Sequence, residues 1–487
     1  MPKVKTVISL YSQCINRVKS HLKVFDIPVD DKLLITWRGS PWDREKTESE
    51  SDMNPFETMP AVLLDAIIQS LCSSQTKNTT VKHHINIKNC ITTKLQKLIA
   101  PSYPYDYEQF SNFFPKLEKL QVLALCYSNI DDSCLKIIAT CCKNLRILDI
   151  SKCNKLTDTG IKWLVPITAE LSKTLLELMM SCDAVTKRGI IFALQNCPFL
   201  EFVENINMFD ALVEVARSSA LVQSIILNTN ITRLTLRPAE VYLSGQLELV
   251  VRFCPSVFYM IIVVKEGLTD ADPFCLTSLK NLQILKILRH SSSTLNEITF
   301  DKSLAPVLKV IGNSLKVLYL DYFEFIDIWT VVKFCPNLMS LSMRNQCQSL
   351  SALSENEIIQ LRHEKGRGYF QDMKILGGGF NLSNDVLFGL LSCPLLERVW
   401  ITHCDALTDD FLREVIANGS LKNLKILSLN FCYLVTKQGL DALVMNDNRL
   451  EQLSFHYCLN ITQQNVCDWN EFARCRNWEL RIEFSGS

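Results

Sequence analysis

A short hydrophobic pattern recurs along most of the chain: an apolar residue, two residues, an apolar residue, one residue, and an apolar residue. Each occurrence is short and bounded, with alternation around its centre, which predicts a β-strand. Segments with helical spacing lie between the occurrences, for example after Asn129 and after Thr436. The pattern predicts 13 strand rows, which begin at Leu120, Leu145, Leu175, Leu200, Ile231, Val257, Leu282, Leu315, Leu338, Met373, Leu396, Leu424 and Leu450.

One strand with one helix cannot bury its apolar faces alone, so the rows must stack into a long array with a continuous core and capped ends. Two sets of cysteines keep the same period, and both are predicted to be buried, reduced thiols at tight corners. The first set follows the strands and precedes a threonine that suits a helix N-cap; it comprises Cys153, Cys182, Cys404, Cys432 and Cys458. The second set ends the helices, mostly ahead of a proline that stops the helix; it comprises Cys142, Cys197, Cys254, Cys335 and Cys393.

These rows resemble the cysteine-containing class of leucine-rich repeat, with its LxxLxLxxCxxLTDxGL pattern. The resemblance covers roughly residues 117–484, and it is weak between Phe199 and Gln371 because the CxxLT element is missing there. It implies an α/β leucine-rich-repeat solenoid, a ribonuclease-inhibitor-like horseshoe with parallel strands on the concave face and helices on the convex face. Proteins of this class often serve as substrate receptors of cullin–RING ubiquitin ligases.

The region ahead of the rows is predicted to be an all-α N-terminal cap. Residues 1–38 contain an amphipathic helical segment, 39–56 form a charged linker, and 57–115 form a second helical region; the repeats then occupy 116–487. In the first segment Leu10, Cys14 and Val18 share one helix stripe because they are four residues apart. They resemble the BC-box, SLxxxCxxxV, which implies binding to elongin C.

A competing resemblance falls within residues 57–115. There Pro60, Leu64, Ile67 and Ile68 resemble the first half of an F-box, which implies a Skp-type adaptor. Val62 replaces the usual acidic residue, and the second half of the F-box is absent. The elongin hypothesis is therefore favoured, and a plain helical cap on the repeats is the remaining alternative.

The composition and the motifs that are missing disfavour several classes of function. The 487 residues contain 51 Lys plus Arg and 51 Asp plus Glu, so no basic field favours nucleic acid or an anionic membrane. No signal peptide, membrane span, nucleotide loop or zinc-spaced Cys/His cluster is evident, so we expect no enzyme, cofactor or metal, and a reducing cytoplasmic or nuclear compartment. The triple glycine Gly377–Gly379 lies in a strand row and predicts a locally bare concave surface.

The repeats also predict a recognition surface. Side chains between and just after the leucines should face the concave side, because side chains alternate along a strand. In the last rows a ladder of His403, Phe431 and Tyr457 is expected beside Trp400. A second group, which includes Tyr319 and Arg344, is expected in the middle rows. The predicted substrate-binding residues are Trp400, His403, Phe431, His456, Tyr457, Tyr319 and Arg344. The sequence thus favours a ligase substrate-recognition subunit that binds elongin C or a Skp-type adaptor, a cullin and a protein substrate; a scaffold or inhibitor without ligase association is the alternative.

Overall fold

The computed structural model describes residues 59–73, 91–102, 111–222, 229–238, 241–289, 298–344, 353–366, 368–379, 382–445 and 449–485. Leu10, Cys14, Val18 and the 39–56 linker lie outside these ranges. The chain divides into two compact units, which are described separately: an N-terminal unit that ends at Val215, and a C-terminal unit that begins at Ala216.

The N-terminal unit contains a five-stranded parallel sheet whose strands follow one another in chain order. Its strands are β1 (Lys97–Ile99), β2 (Val122–Ala124), β3 (Ile147–Asp149), β4 (Glu177–Met179) and β5 (Phe202–Glu204). Its helices are Ala61–Ser73, the 3₁₀ turn Phe114–Lys116, Asp132–Cys141, Asp158–Leu164, Leu171–Thr174, Lys187–Asn196 and Met208–Val222, the last of which extends beyond Val215.

The C-terminal unit contains a ten-stranded parallel sheet, again in chain order. Its strands are β6 (Arg233–Leu236), β7 (Tyr259–Val263), β8 (Ile284–Leu288), β9 (Val317–Asp321), β10 (Ser340–Arg344), β11 (Ile375–Gly379), β12 (Arg398–Thr402), β13 (Ile426–Asn430), β14 (Gln452–His456) and β15 (Arg481–Ser485). The connecting helices are Gln246–Phe253, Asp272–Ser278 (3₁₀), Phe300–Leu304 (π), Ala305–Ile311, Gly312–Ser314 (3₁₀), Ile328–Phe334, Glu355–Lys365, Asn384–Leu391, Asp409–Ala417, Lys437–Val444 and Gln463–Cys475.

The predicted α/β repeat fold is confirmed, because each of the 13 rows forms one strand and the strands are parallel. Two further strands lie at the ends of the rows. β15 lies beyond the last predicted row and pairs with β14. β1 falls inside the region expected to be helical and pairs with β2. The all-α N-terminal cap is therefore not confirmed, since the described part of 57–115 contains this strand as well as a helix.

The leucines of each row form the core. Leu120, Leu123 and Leu125 are fully buried, and the following helix adds Leu135 and Ile138 to the same interior. Side chains on alternate strand positions point to opposite faces. One face of each sheet therefore packs against the helices, and the residues between the leucines lie on the other, open face.

Neighbouring repeats are joined by a hydrogen-bonded pair of aspartate and threonine. Thr186 caps its helix by accepting from Arg188 N, and it donates to Asp158 of the preceding helix through both its amide (2.8 Å) and its hydroxyl (2.6 Å). The same pairs recur as Asp132 with Thr157 and Asp409 with Thr436. This contact explains the Thr-Asp element of the repeat. The threonine caps its own helix, and the aspartate after it accepts hydrogen bonds from the capping threonine of the following repeat.

A glycine lies three residues after each of these threonines, because the aspartate of the preceding repeat occupies the space that a side chain would need at that position. A Cβ atom on Gly189 would lie 2.5 Å from Asp158 Oδ1, and its amide donates to that oxygen at 3.2 Å. Gly160 and Gly439 face Asp132 and Asp409 in the same way.

The periodic cysteines are buried free thiols, as the sequence predicted for both sets. Four of the five cysteines after the strands do more than fill space, because the thiol reaches a backbone carbonyl of the preceding repeat. Cys153 Sγ donates to Leu125 O at 3.2 Å, and Cys458 Sγ donates to Leu429 O at 3.4 Å. Burial raises the pKa of the Cys153 thiol to about 12, so it stays protonated at neutral pH.

Candidate functional site

The open face of the C-terminal sheet is set by strand register. Tyr319 of β9 pairs with Ser342 of β10, which pairs with Gly377 of β11, and Gly377 pairs with Trp400 of β12. The neighbouring residues Leu318, Leu341, Leu376 and Val399 are buried on the helix side. Four consecutive strands therefore present tyrosine, serine, glycine and tryptophan in one line across the sheet.

A cavity of about 1170 Å³ opens on this face. It extends from β8 to β13, so some of the predicted residues of the middle rows and some of those of the last rows border one space. Its lining consists of Arg289, Tyr319, Tyr322, Phe323, Glu324, Phe325, Ser340, Ser342, Arg344, Ile375, Gly377, Gly378, Gly379, Trp400, Thr402, His403 and Asn430.

The glycines of β11 form the floor of this cavity. A Cβ atom on Gly377 would lie 3.3 Å from Ser342 Oγ and 3.4 Å from Trp400 Cε3. Any larger side chain would therefore take up space between the Tyr319 side and the Trp400 side. The locally bare surface that the triple glycine predicted is confirmed.

On one wall of the cavity, the exposed Arg344 lies beside a carboxylate that is buried outside the lining. Asp321 is 6% exposed, and its Oδ1 has no hydrogen-bond partner among the described residues. Arg344 Nε lies 3.9 Å from that oxygen, and the guanidinium lies 5.6 Å from the centre of the Tyr319 ring. Burial raises the pKa of Asp321, while the charge of Arg344 and a hydrogen bond with Tyr319 act in the opposite direction.

The opposite wall leads into a stack of rings. His403 and Phe431 are 4.4 Å apart between ring centres with planes at 6°, and Phe431 and Tyr457 are 4.8 Å apart at 7°. All three residues have left-handed backbones, with φ of 51°, 54° and 55°. Their amides extend the strand ladder, since Phe431 N donates to His456 O at 2.9 Å. The stacked arrangement predicted for these three residues is present.

The predicted substrate-binding residues do not all face the cavity. Tyr319, Arg344, Trp400 and His403 line it. Phe431 and Tyr457 continue the stack away from it. His456 Nδ1 lies 2.7 Å from Ser485 Oγ on the terminal strand.

Sequence reasoning missed several lining residues, among them Arg289, Glu324 and Ser342. Strand register could have identified Ser342, because it occupies the same row position as Tyr319 and Trp400. Arg289 directly follows β8, and Glu324 lies in the loop after β9, where a repeat pattern gives no side-chain direction.

The F-box-like residues of the N-terminal unit are used by the fold itself. Helix Ala61–Ser73 buries Leu64, Ile67 and Ile68 to within 4% of full burial. Pro60 is exposed, and Val62 is 74% exposed. The three apolar side chains are core residues of this chain, so binding an adaptor through them requires the helix to leave its packing.

Within the described ranges, no three His, Cys, Asp or Glu side chains are grouped so that they could hold a metal ion. None of the helices in those ranges has the length and apolar character needed to cross a membrane.

No protein-family model matches this sequence, and no curated protein matches it. Among solved structures, the chain is similar to one in the crystal structure of the Rad7 and Elc1 complex in yeast. The two are 13% identical, the match covers 96% of this chain and 91% of that chain, and the TM-score is 0.40. That score is too low to transfer a function, so the function is inferred below from the residues of this chain alone.

Proposed function

We propose that this chain is a non-catalytic protein-binding subunit that holds a partner protein in the cavity on the open face of β8–β13. The observation that carries the proposal is the glycine floor between two walls of aromatic and charged side chains. Exposed aromatic and arginine side chains around a recess are the residue types that contribute most binding energy in protein interfaces. In this proposal the open face is the concave side of a leucine-rich-repeat solenoid, and the protein works in the cytoplasm or nucleus.

The partner is proposed to be a substrate of a cullin–RING ubiquitin ligase, with the adaptor bound at residues 1–38. Support comes from the spacing of Leu10, Cys14 and Val18, which resembles the BC-box. The burial of Leu64, Ile67 and Ile68 favours elongin C over a Skp-type adaptor, because a side chain packed inside its own chain cannot fill an adaptor groove. A scaffold or inhibitor that uses the cavity without a ligase is the second candidate, since the cavity does not depend on the adaptor.

Co-expression of the full chain with elongin C tests the ligase half of the proposal. We expect the two proteins to elute together in size-exclusion chromatography. Leu10→Ala with Cys14→Phe should abolish the complex, because both changes fall on the proposed contact stripe.

Ser12→Ala with Asn16→Ala is the matched control, since helical spacing places those two positions opposite the proposed contact stripe. Elongin C that still coelutes with the stripe variant contradicts the BC-box assignment. Coelution of a Skp-type adaptor instead, lost on Pro60→Ala, would establish the F-box alternative.

A further inference from the structure

Two contacts with described residues, Asp321 and Tyr319, orient the guanidinium of Arg344. Its Nε lies 3.9 Å from Asp321 Oδ1, its Cζ lies 5.6 Å from the centre of the Tyr319 ring, and its side chain is 62% exposed. Within the part of the chain that the structure describes, neither Nη atom has a hydrogen-bond partner. An arginine held in this way presents its outer edge for two parallel hydrogen bonds to a carboxylate.

A second arginine increases the positive charge of the same cavity. The guanidinium of Arg289 lies 5.4 Å from the centre of the Phe323 ring, and its Nη1 donates to Ile298 O at 3.4 Å. Glu324 is the carboxylate among the lining residues, and Asp321 is buried beneath Arg344. Asp321 offsets part of the charge of Arg344, but it is not among the lining residues. The surface that a ligand meets therefore carries two arginines and one carboxylate, which favours an acidic group in the ligand.

Across the glycine floor the surface becomes apolar. Trp400 is 37% exposed, and it lies in register with Gly377, which has no side chain to cover it. Arg344 and Trp400 are two strands apart and two residues apart along the strands. At about 4.8 Å per strand and 3.3 Å per residue, they are separated by roughly 12 Å, which an extended peptide spans in about three to four residues.

We propose that the cavity binds an extended peptide segment in which an aspartate or glutamate lies three to four residues from a large apolar or aromatic side chain. The carboxylate pairs with Arg344, the apolar side chain packs on Trp400, and the peptide backbone crosses the bare strand β11. This inference deepens the proposed function, because it rests on the cavity being a protein-binding site. It does not depend on any ligase component.

Selection of random, unmodified 12-residue peptides displayed on phage, with the purified full chain as bait, tests the inference. The selected peptides should be enriched in the acidic–apolar pair at that spacing. For a synthetic peptide of the selected sequence, Arg344→Gln and Trp400→Ala should each weaken binding at least tenfold, the loss expected when a charge-assisted or buried aromatic contact is removed. Arg344→Lys should give a smaller loss, because the charge remains while the paired hydrogen bonds do not.

Arg413→Gln is the matched control, since Arg413 is half-exposed on helix Asp409–Ala417 of the same unit and should leave binding unchanged. Failure to select any peptide, selection of basic peptides, or equal binding by Arg344→Gln would overturn the inference. These outcomes do not depend on elongin C. If no adaptor complex forms but the peptide selection succeeds, the ligase hypothesis is rejected while the peptide-binding site stands.

Discussion

The imidazole ring of His403 lies flat on the phenyl ring of Phe431, one repeat later, with 4.4 Å between the ring centres. Both residues occupy left-handed backbone conformations, which cost a residue with a Cβ atom about 1–2 kcal/mol. Because Tyr457 repeats this conformation and stacks on the other side of Phe431, the rings themselves offset part of that cost.

This arrangement makes an unusual prediction for Phe431. Phe431→Ala loses two ring contacts, worth about 0.5–1.5 kcal/mol each, and keeps the strained backbone. Phe431→Gly loses the same contacts but relieves the strain. We therefore expect the glycine variant to be more stable than the alanine variant by about 1 kcal/mol in urea unfolding. The opposite order would mean that the left-handed backbone is not maintained in solution.

The contact between Gly189 and Asp158 predicts a non-additive pair of substitutions. Gly189→Ala should lower the free energy of unfolding by about 1–3 kcal/mol, because the new methyl group overlaps the carboxylate of the preceding repeat. Asp158→Ala should be destabilising too, through loss of the cap on Thr186. Once Asp158 is alanine, Gly189→Ala should cost much less. Additive effects across this double-mutant cycle would show that the two sites do not interact.

Thiol accessibility should follow burial. Cys153, Cys404 and Cys432 are buried, whereas Cys467 and Cys475 are exposed in the same fold. Burial raises the pKa of Cys404 to about 11, so its reactive thiolate is scarce at pH 8. In native protein treated with N-ethylmaleimide, mass spectrometry should find the two exposed cysteines modified first and the buried three only after unfolding. Equally fast modification of Cys153 and Cys467 contradicts this assignment.

The buried carboxylate of Asp321 predicts a pH dependence. Burial raises its pKa above 3.8 in the folded protein, so ionising it costs the folded state free energy. That penalty is absent below pH 3.8 and develops as the pH rises through the raised pKa. Asp321→Asn removes the penalty, so the melting temperature of the variant relative to the native sequence should be higher at pH 7 than at pH 3.5. A difference that stays constant or reverses would show that Arg344 and Tyr319 outweigh burial.

The repeat fold was predictable because each row satisfies a local rule. Leucines at fixed positions must be buried, and the Cys-Pro corners stop the helices, so 13 strands follow from short segments of sequence. β1 was missed because its row, which begins at Leu95, is flanked by segments with no clear period. Helix Glu355–Lys365, which a capping box of Ser354 and Glu357 begins, was not evident in the sequence, because it is polar and buries only Leu361.

The site was predictable only in part. Alternation along the strands identified Tyr319, Arg344, Trp400 and His403 as outward-facing residues. Their meeting in one cavity could not be deduced from single rows, because it depends on the register of four strands and on the missing side chains of β11. The burial of Asp321 could not be predicted either, since alternation gives the face on which a side chain lies but not the side chains that surround it.

The central claim is that one chain holds an adaptor at residues 1–38 and a partner in the cavity of its C-terminal unit. Quantitative mass spectrometry of proteins captured from cells by the native sequence, by Leu10→Ala with Cys14→Phe, and by Arg344→Gln with Trp400→Ala tests both parts at once. We predict that the first variant loses elongin C and keeps the other partner, while the second loses the partner and keeps elongin C. Absence of elongin C from the native capture, or loss of the same proteins by both variants, would contradict the account.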